Sequence, residues 1–342
     1  MLTAPPLAPA GPLGHREGPK LNEETMKRYR IDVCVFGSLG VPYARESYWA
    51  SLGANEPSSL HLPSFGEYAE HQPRKEGGRI PLAAKMGRLP FEHHLRACTS
   101  AKALAKGTYP EMDAALSAFD EHGSVVARAL GDAARYYARQ EYERDDFDKG
   151  RELHTKLSDE LAKFEEHHVA LVKAYEAWLP GLEPIEEAAK LDAGGELSHK
   201  ALAAARRLAL VFVHADELPE VAVAEPLVEA VEALTASLER MRSDDPAASH
   251  ARLVAPKLRA LLEQVAAARS GTYDEHRRYL IGAAVAAVAD ADQRSLTLLL
   301  GGGQPFGALG RPKLPELSPM VGRRKKAPLE ALPAGTSKPS TP

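Results

Sequence analysis

Cysteine is almost missing from this chain. Two residues, Cys34 and Cys98, among 342 cannot make a disulfide framework or a four-thiolate zinc site. They leave open either one bridge, closing the irregular stretch between them at its base, or two buried free thiols, the ordinary state in a reducing compartment. Aromatic residues amount to 6%, and β-branched residues never form an alternating run, which excludes the pattern of a sheet protein. No apolar run approaches the ~20 residues that carry a helix across a bilayer. Neither sign of charge dominates: a formal net charge of −4 gives the body no electrostatic footprint of a nucleic-acid binder, and no nucleic acid is expected among its partners. Nucleophilic chemistry lacks its parts, since there is no Gly-x-Ser-x-Gly, no cysteine beside an evident base, and no Lys-Ser/Thr after the glycines of 302–307. The chain is therefore expected to be non-enzymatic, with no catalytic residue and no cofactor. Its opening, MLTAPPLAPAGPLG, has neither the basic flank nor the apolar core of roughly 7–15 residues of a secretory signal. Either the protein is cytoplasmic, or the chain starts after a removed signal.

What the chain has in quantity is Ala, Leu, Glu, Lys and Arg, all good helix formers. Residues 145–178 organise the reading. Gly150, His154, Leu157, Leu161, Phe164, His168, Leu171, Tyr175 and Trp178 recur at alternating spacings of four and three, which puts them on one face of a helix of about nine turns. The preceding stretch repeats the device with Met112, Leu116, Phe119, Gly123, Val126, Leu130, Ala133, Tyr137 and Gln140. Between the two seams, Asp145 is placed to cap the second helix, with Asp148 at the third position in capping-box fashion. An antiparallel hairpin of helices near 111–140 and 146–178 follows. Its rival is one continuous helix through 144, a rod on the order of 100 Å at 1.5 Å per residue.

Asn22, followed by Glu23 and Glu24, predicts a helix to about Val35, with Gly37 and Gly40 stopping it. Residues 37–90 carry six prolines and seven glycines and read as an irregular insertion, with one short helix at 44–52 and aromatics that drape it on the body. Further helices are predicted at 91–106, 184–192, 196–217, 222–242, 247–269 and 274–299. Their seams are Leu227, Val231, Leu234, Leu238 and Met241; then Val254, Leu258, Leu261 and Val265; then the small residues Ala283, Ala284 and Ala287 with Val288, which permit close helix approach. The ends differ. Residues 1–19, rich in Pro, Ala and Gly, read as a flexible tether, and 304–342 as a disordered tail of charge about +5 with one basic run, Arg323, Arg324, Lys325 and Lys326. The fold class is all-α: an elongated antiparallel bundle over 20–303, interrupted by the irregular insertion.

At YYARQEYERDDFDKGRELHTKLSDELAKFEEH the chain resembles the DUF3829 family of uncharacterised bacterial proteins, which includes YiiG-like lipoproteins. The matching residues are Tyr136, Tyr137, Tyr142, Asp145, Asp146, Lys149, Gly150, Glu152, Leu153 and His154, and the likeness extends over 110–178. It implies an all-helical protein of the bacterial envelope, often lipid-anchored, in which the Pro/Ala/Gly start would be a membrane tether. It supplies no catalytic residues.

One constellation has the spacing of a metal site. Glu165-x-x-His168 and Glu196-x-x-His199 are two Glu-x-x-His steps on different helices, as in di-iron bundles, though two further inward glutamates are wanting. His154 and His168, on the seam, read as neutral imidazoles bonded to facing polar side chains; His93, His94, Glu166 and His167 read as solvated. Asp145, Asp146 and Asp148 lack the loop of a calcium site. The function expected is that of a non-enzymatic helical interaction or scaffold protein of the bacterial envelope with an unidentified protein partner. The alternative is a helical metal-binding protein or enzyme using bundle histidines and glutamates.

Overall fold

The computed structural model describes residues 21–51, 92–104, 109–181, 193–213, 218–241 and 248–300. All their long elements are helices, and no strand occurs among them. The predicted helix at 184–192, the tether and the basic tail lie outside the described residues.

Helix α1 spans Glu23–Ser38 and starts as its sequence dictates: the Asn22 side chain accepts from the Thr25 amide at 2.8 Å, with Glu23 and Glu24 in the first turn. It does not stop where glycine was expected to stop it. Gly37 lies inside the helix, because a Cβ there would fall 2.2 Å from the Cβ of His94 on a crossing helix. The glycine serves close approach. After Leu39 the chain re-enters helix α2, Gly40–Ser51, with Pro42 in its first turn, where a missing N–H costs nothing. The start of the supposed irregular insertion is thus helical through Ser51; residues 52–91 lie outside the described part.

Helix α3, Glu92–Lys102, lies antiparallel on α1, and Cys34 and Cys98 form a disulfide between the two. Then comes the hairpin: α4 (Pro110–Ala138), a single turn α5 (Tyr142–Asp145) and α6 (Asp148–Trp178). Three non-glycine residues in left-handed conformation, Gln140 (φ 54°), Asp146 (φ 50°) and Phe147 (φ 65°), reverse the chain and exclude the continuous rod. Antiparallel pairing shows in the contacts, Phe119 stacking on Phe164 at 4.7 Å and Tyr109 meeting Trp178 at 5.2 Å. The two seams are buried as read, except that Trp178 is half-buried and Gln140 is exposed beyond the end of α4. Asp145 serves the start of α6 from two residues further back than a cap: its carboxylate accepts from the amides of Phe147 (3.2 Å) and Lys149 (3.3 Å) and from the Tyr136 hydroxyl (2.9 Å). Asp148 makes no capping box and pairs with Arg151.

Four more helices follow, α7 (Ala193–Val213), α8 (Val221–Glu239), α9 (Ala248–Ser270) and α10 (Glu275–Leu300). The seam of α9 is buried as expected. That of α8 is shifted to Ala224, Val228, Val231, Thr235 and Leu238, with Leu227 and Leu234 half-buried beside it, because α8 packs between α7 and α9 rather than on one partner. Helix α10 packs on α1, α2, α7 and α9 and is buried on most of its circumference. Gly282 lets it touch α1, since a Cβ there would lie 2.5 Å from the Phe36 carbonyl oxygen.

Candidate functional site

Helix α1 carries apolar residues on every side, and from Ile31 to Ser38 all of them are buried. A helical stretch without a solvent face lies at the centre of a fold, and its polar groups must find partners inside the protein. Asp32, 1% exposed, accepts from the Tyr175 hydroxyl of α6 at 2.7 Å and from the guanidinium of Arg206 of α7. One turn earlier, Tyr29 donates to Asp292 of α10 at 2.6 Å, and Ser198 of α7 donates to the other oxygen of the same carboxylate. His199 stands 4.0 Å from that carboxylate. Lys27, also buried, pairs with Asp113 of α4 at 2.8 Å. Ser38 bonds to His168 of α6 at 2.9 Å.

The electrostatics follow from this pairing. Burial raises both phenols, and the facing carboxylates raise them further, so Tyr29 and Tyr175 stay protonated and donate. Burial would lower Arg206, but the Asp32 carboxylate outweighs it and holds the guanidinium charged. At Asp292 burial works to raise the carboxyl, yet His199, Ser198 and Tyr29 hold it below the usual carboxylate range. The arrangement spends its ionisable groups on one another and ties α1 to α4, α6, α7 and α10.

The residues singled out in the sequence are dispersed over this frame. Glu165 pairs with Arg45 of α2, and His168 bonds to Ser38 of α1. Glu196 is exposed and pairs with Lys200 at 2.6 Å, while His199 faces Asp292. The two Glu-x-x-His steps therefore meet different neighbours, and among the described residues no group of three or more His, Cys, Asp or Glu side chains is placed to hold a metal ion. His154 bonds through Nδ1 to the Tyr48 hydroxyl at 2.8 Å, and burial lowers its pKa, as expected of a neutral seam imidazole. His94, read as solvated, is buried against Gly37; the disulfide one turn away draws it in. His167 is half-buried beside His122, ring to ring at 5.0 Å.

Hollows open on the described surface, and two are relevant here. One, of about 450 Å³, is bordered by α1, α3 and α10 and includes Arg30, His94, Arg96 and Arg294 in its lining. The other, of about 390 Å³, lies at the open end of the hairpin beside Tyr109, Met112 and Trp178.

No helix among the described residues is long and apolar enough to cross a membrane. Comparison with curated proteins and with solved structures finds no match. Comparison with family models bears out the resemblance read at the hairpin and carries it upstream: residues 70–178, about a third of the chain, match the family described as protein of unknown function (DUF3829).

Proposed function

We propose that this is a non-enzymatic helical interaction protein of the bacterial cell envelope, working in an oxidising compartment and presenting its surface to a protein partner. The observation that carries the reading is the Cys34–Cys98 bridge, whose cysteines are both 0% exposed and 64 residues apart. Structural disulfides persist in secreted and periplasmic proteins and are rare in the cytosol. The Pro/Ala/Gly stretch 1–19 supports a tether between such a body and a membrane. The non-enzymatic part is supported by the α1 network, where Asp32, Arg206, Tyr29, Tyr175 and Asp292 are consumed by mutual pairing; structural ion-pair networks perturb titration as active sites do. A binding role is supported by Leu218, Val221 and Val223, which are 40%, 66% and 51% exposed around the start of α8, a local concentration of apolar surface.

The test uses the natural protein in its native bacterium. Cells are quenched with a thiol-blocking maleimide, fractionated and analysed without reductant. Both cysteines should be oxidised, and the protein should partition with the envelope. Maleimide-labelled Cys34 and Cys98 in a cytosolic fraction would sink the proposal. Crosslinking in the same cells should trap a protein partner that Val221→Glu loses without loss of helical signal.

A further inference from the structure

Helices α3 and α10 both pack on α1 but scarcely on each other, so a groove of about 450 Å³ runs between them with α1 as its floor. Its α10 wall includes Ala283, Ala286 and Ala287. Small residues at such spacing ordinarily let a neighbouring helix nestle close, yet no described helix fills this space. What borders it instead is cationic. Arg30 comes from α1, Arg96 from α3 and Arg294 from α10, with Ser100 beside them; Arg96 already has an interaction of its own, and among the described lining residues one carboxylate, Asp290, pairs with Arg294 at 2.6 Å. Arg30 is half-buried and has no hydrogen-bond or ion-pair partner among the described residues.

A guanidinium presents a planar fork of donors that matches a carboxylate or phosphate. Like charges gathered at one hollow repel each other and persist more easily where an anion joins them. The volume falls in the roughly 300–1,000 Å³ of small-molecule sites, which combine apolar walls with a few convergent polar groups. We propose that the groove binds a small organic anion, its carboxylate or phosphate held by Arg30, Arg96 and Arg294 and its apolar body laid along the alanine wall. The disulfide has a part in this. Cys34 stands one turn from Arg30, and Cys98 one turn from His94, so the bridge fixes the spacing of the floor and the α3 wall. The site depends on neither the compartment nor the protein partner proposed above.

Isothermal titration of the oxidised protein with hexanoate, inorganic phosphate and hexan-1-ol tests it. Hexanoate should bind saturably at one site per chain, phosphate should compete with it, and added salt should weaken both, because screening acts on the charge contact. Arg30→Ala and Arg294→Ala should each weaken hexanoate about tenfold, the loss expected for one charge-assisted contact, whereas Lys163→Ala on α6 should leave it unchanged. Should Arg30→Ala lose its helical circular dichroism, Arg96→Ala and Arg294→Ala, both at exposed positions, carry the same test. The proposal falls if neither anion binds saturably at millimolar concentration, if the arginine variants bind as the parent does, or if hexan-1-ol binds as tightly as hexanoate.

Discussion

Reducing the Cys34–Cys98 bridge is the perturbation whose size can be worked most directly from the structure. The bridge joins residues 64 apart, and in the chain-entropy treatment a loop of that length removes on the order of 14 cal/mol/K from the unfolded ensemble, or about 4 kcal/mol at 25 °C. The native state loses little besides, since Cys34 and Cys98 face each other across two helices already in contact, with Cα atoms 4.9 Å apart. Urea titrations of the same chain, oxidised and held reduced by a phosphine, provide the measurement. With a urea dependence of about 3 kcal/mol per molar, the midpoint should fall by about 1.3 M. Because both sulfurs are fully buried, native protein should also resist reduction until it opens. Equal midpoints in the two redox states, with bridge status verified by mass, would refute the loop argument; rapid reduction without denaturant would refute the burial.

On the α6 seam, Phe164→Ala should cost about 3–5 kcal/mol and Leu161→Ala about 2–5, while Lys163→Ala, exposed on the opposite face, should stay within about 0.5; equal shifts in denaturation midpoint would mean the helix is phased wrongly. Asp32→Ala strands the buried Arg206 guanidinium and should cost about 3–5 kcal/mol, much of it restored by Asp32→Leu/Arg206→Met; a single variant within 0.5 kcal/mol of the parent would deny the network its role. Gly282→Ala drives a methyl against the Phe36 carbonyl and should cost about 1–3 kcal/mol with a visible loss of thermal midpoint. His154 has a folded pKa lowered from 6.5 by burial, so the unfolded chain takes up its proton first. Its contribution is complete above about pH 6.5 and is lost as pH falls toward the lowered value. His154→Gln should flatten that limb of a stability–pH curve, and identical slopes in parent and variant would oppose the assignment.

The hairpin was legible because α4 and α6 each bury one stripe, so their seams survive as a four-three alternation that no other force blurs. The Asn22 cap was legible for the same reason of locality. Where a residue's role is set by a distant partner, the sequence misleads. Gly37 reads as a stop, and only His94, brought up by the disulfide, shows it to be a point of close approach. Leu227 and Leu234 look like seam residues, but α8 has neighbours on two sides and buries Val228 and Thr235 instead. The helix at Asn22 was legible, but its central place in the fold was the largest omission. Met26, Tyr29, Val33 and Phe36 read as one inward stripe, whereas from Ile31 to Ser38 every residue of α1 is buried, and the signal that could have found this is Asp32 within the apolar run IDVCVF, a charge that such a run must bury against a partner.

That omission bears on how the family segment stands in the protein. The matched residues 70–178 include the hairpin and α3 but not α1, and each is bonded to α1 by a different chemistry. Cys98 of α3 is joined covalently to Cys34, Asp113 of α4 takes the Lys27 ammonium, and Tyr175 and His168 of α6 reach Asp32 and Ser38. Without α1 these groups would face either water or an empty core, and a buried hydroxyl or carboxylate left unsatisfied costs about 1–3 kcal/mol or more. The hairpin therefore supplies a binding face for a helix that precedes it, and α1 in turn reaches α7 and α10 through Arg206 and Asp292. Asp32 contacts both α6 and α7. One carboxylate thus couples the family hairpin to the helices after residue 193, and the stability of either part depends on the ionic pairing inside α1's surroundings rather than on the hairpin seam by itself.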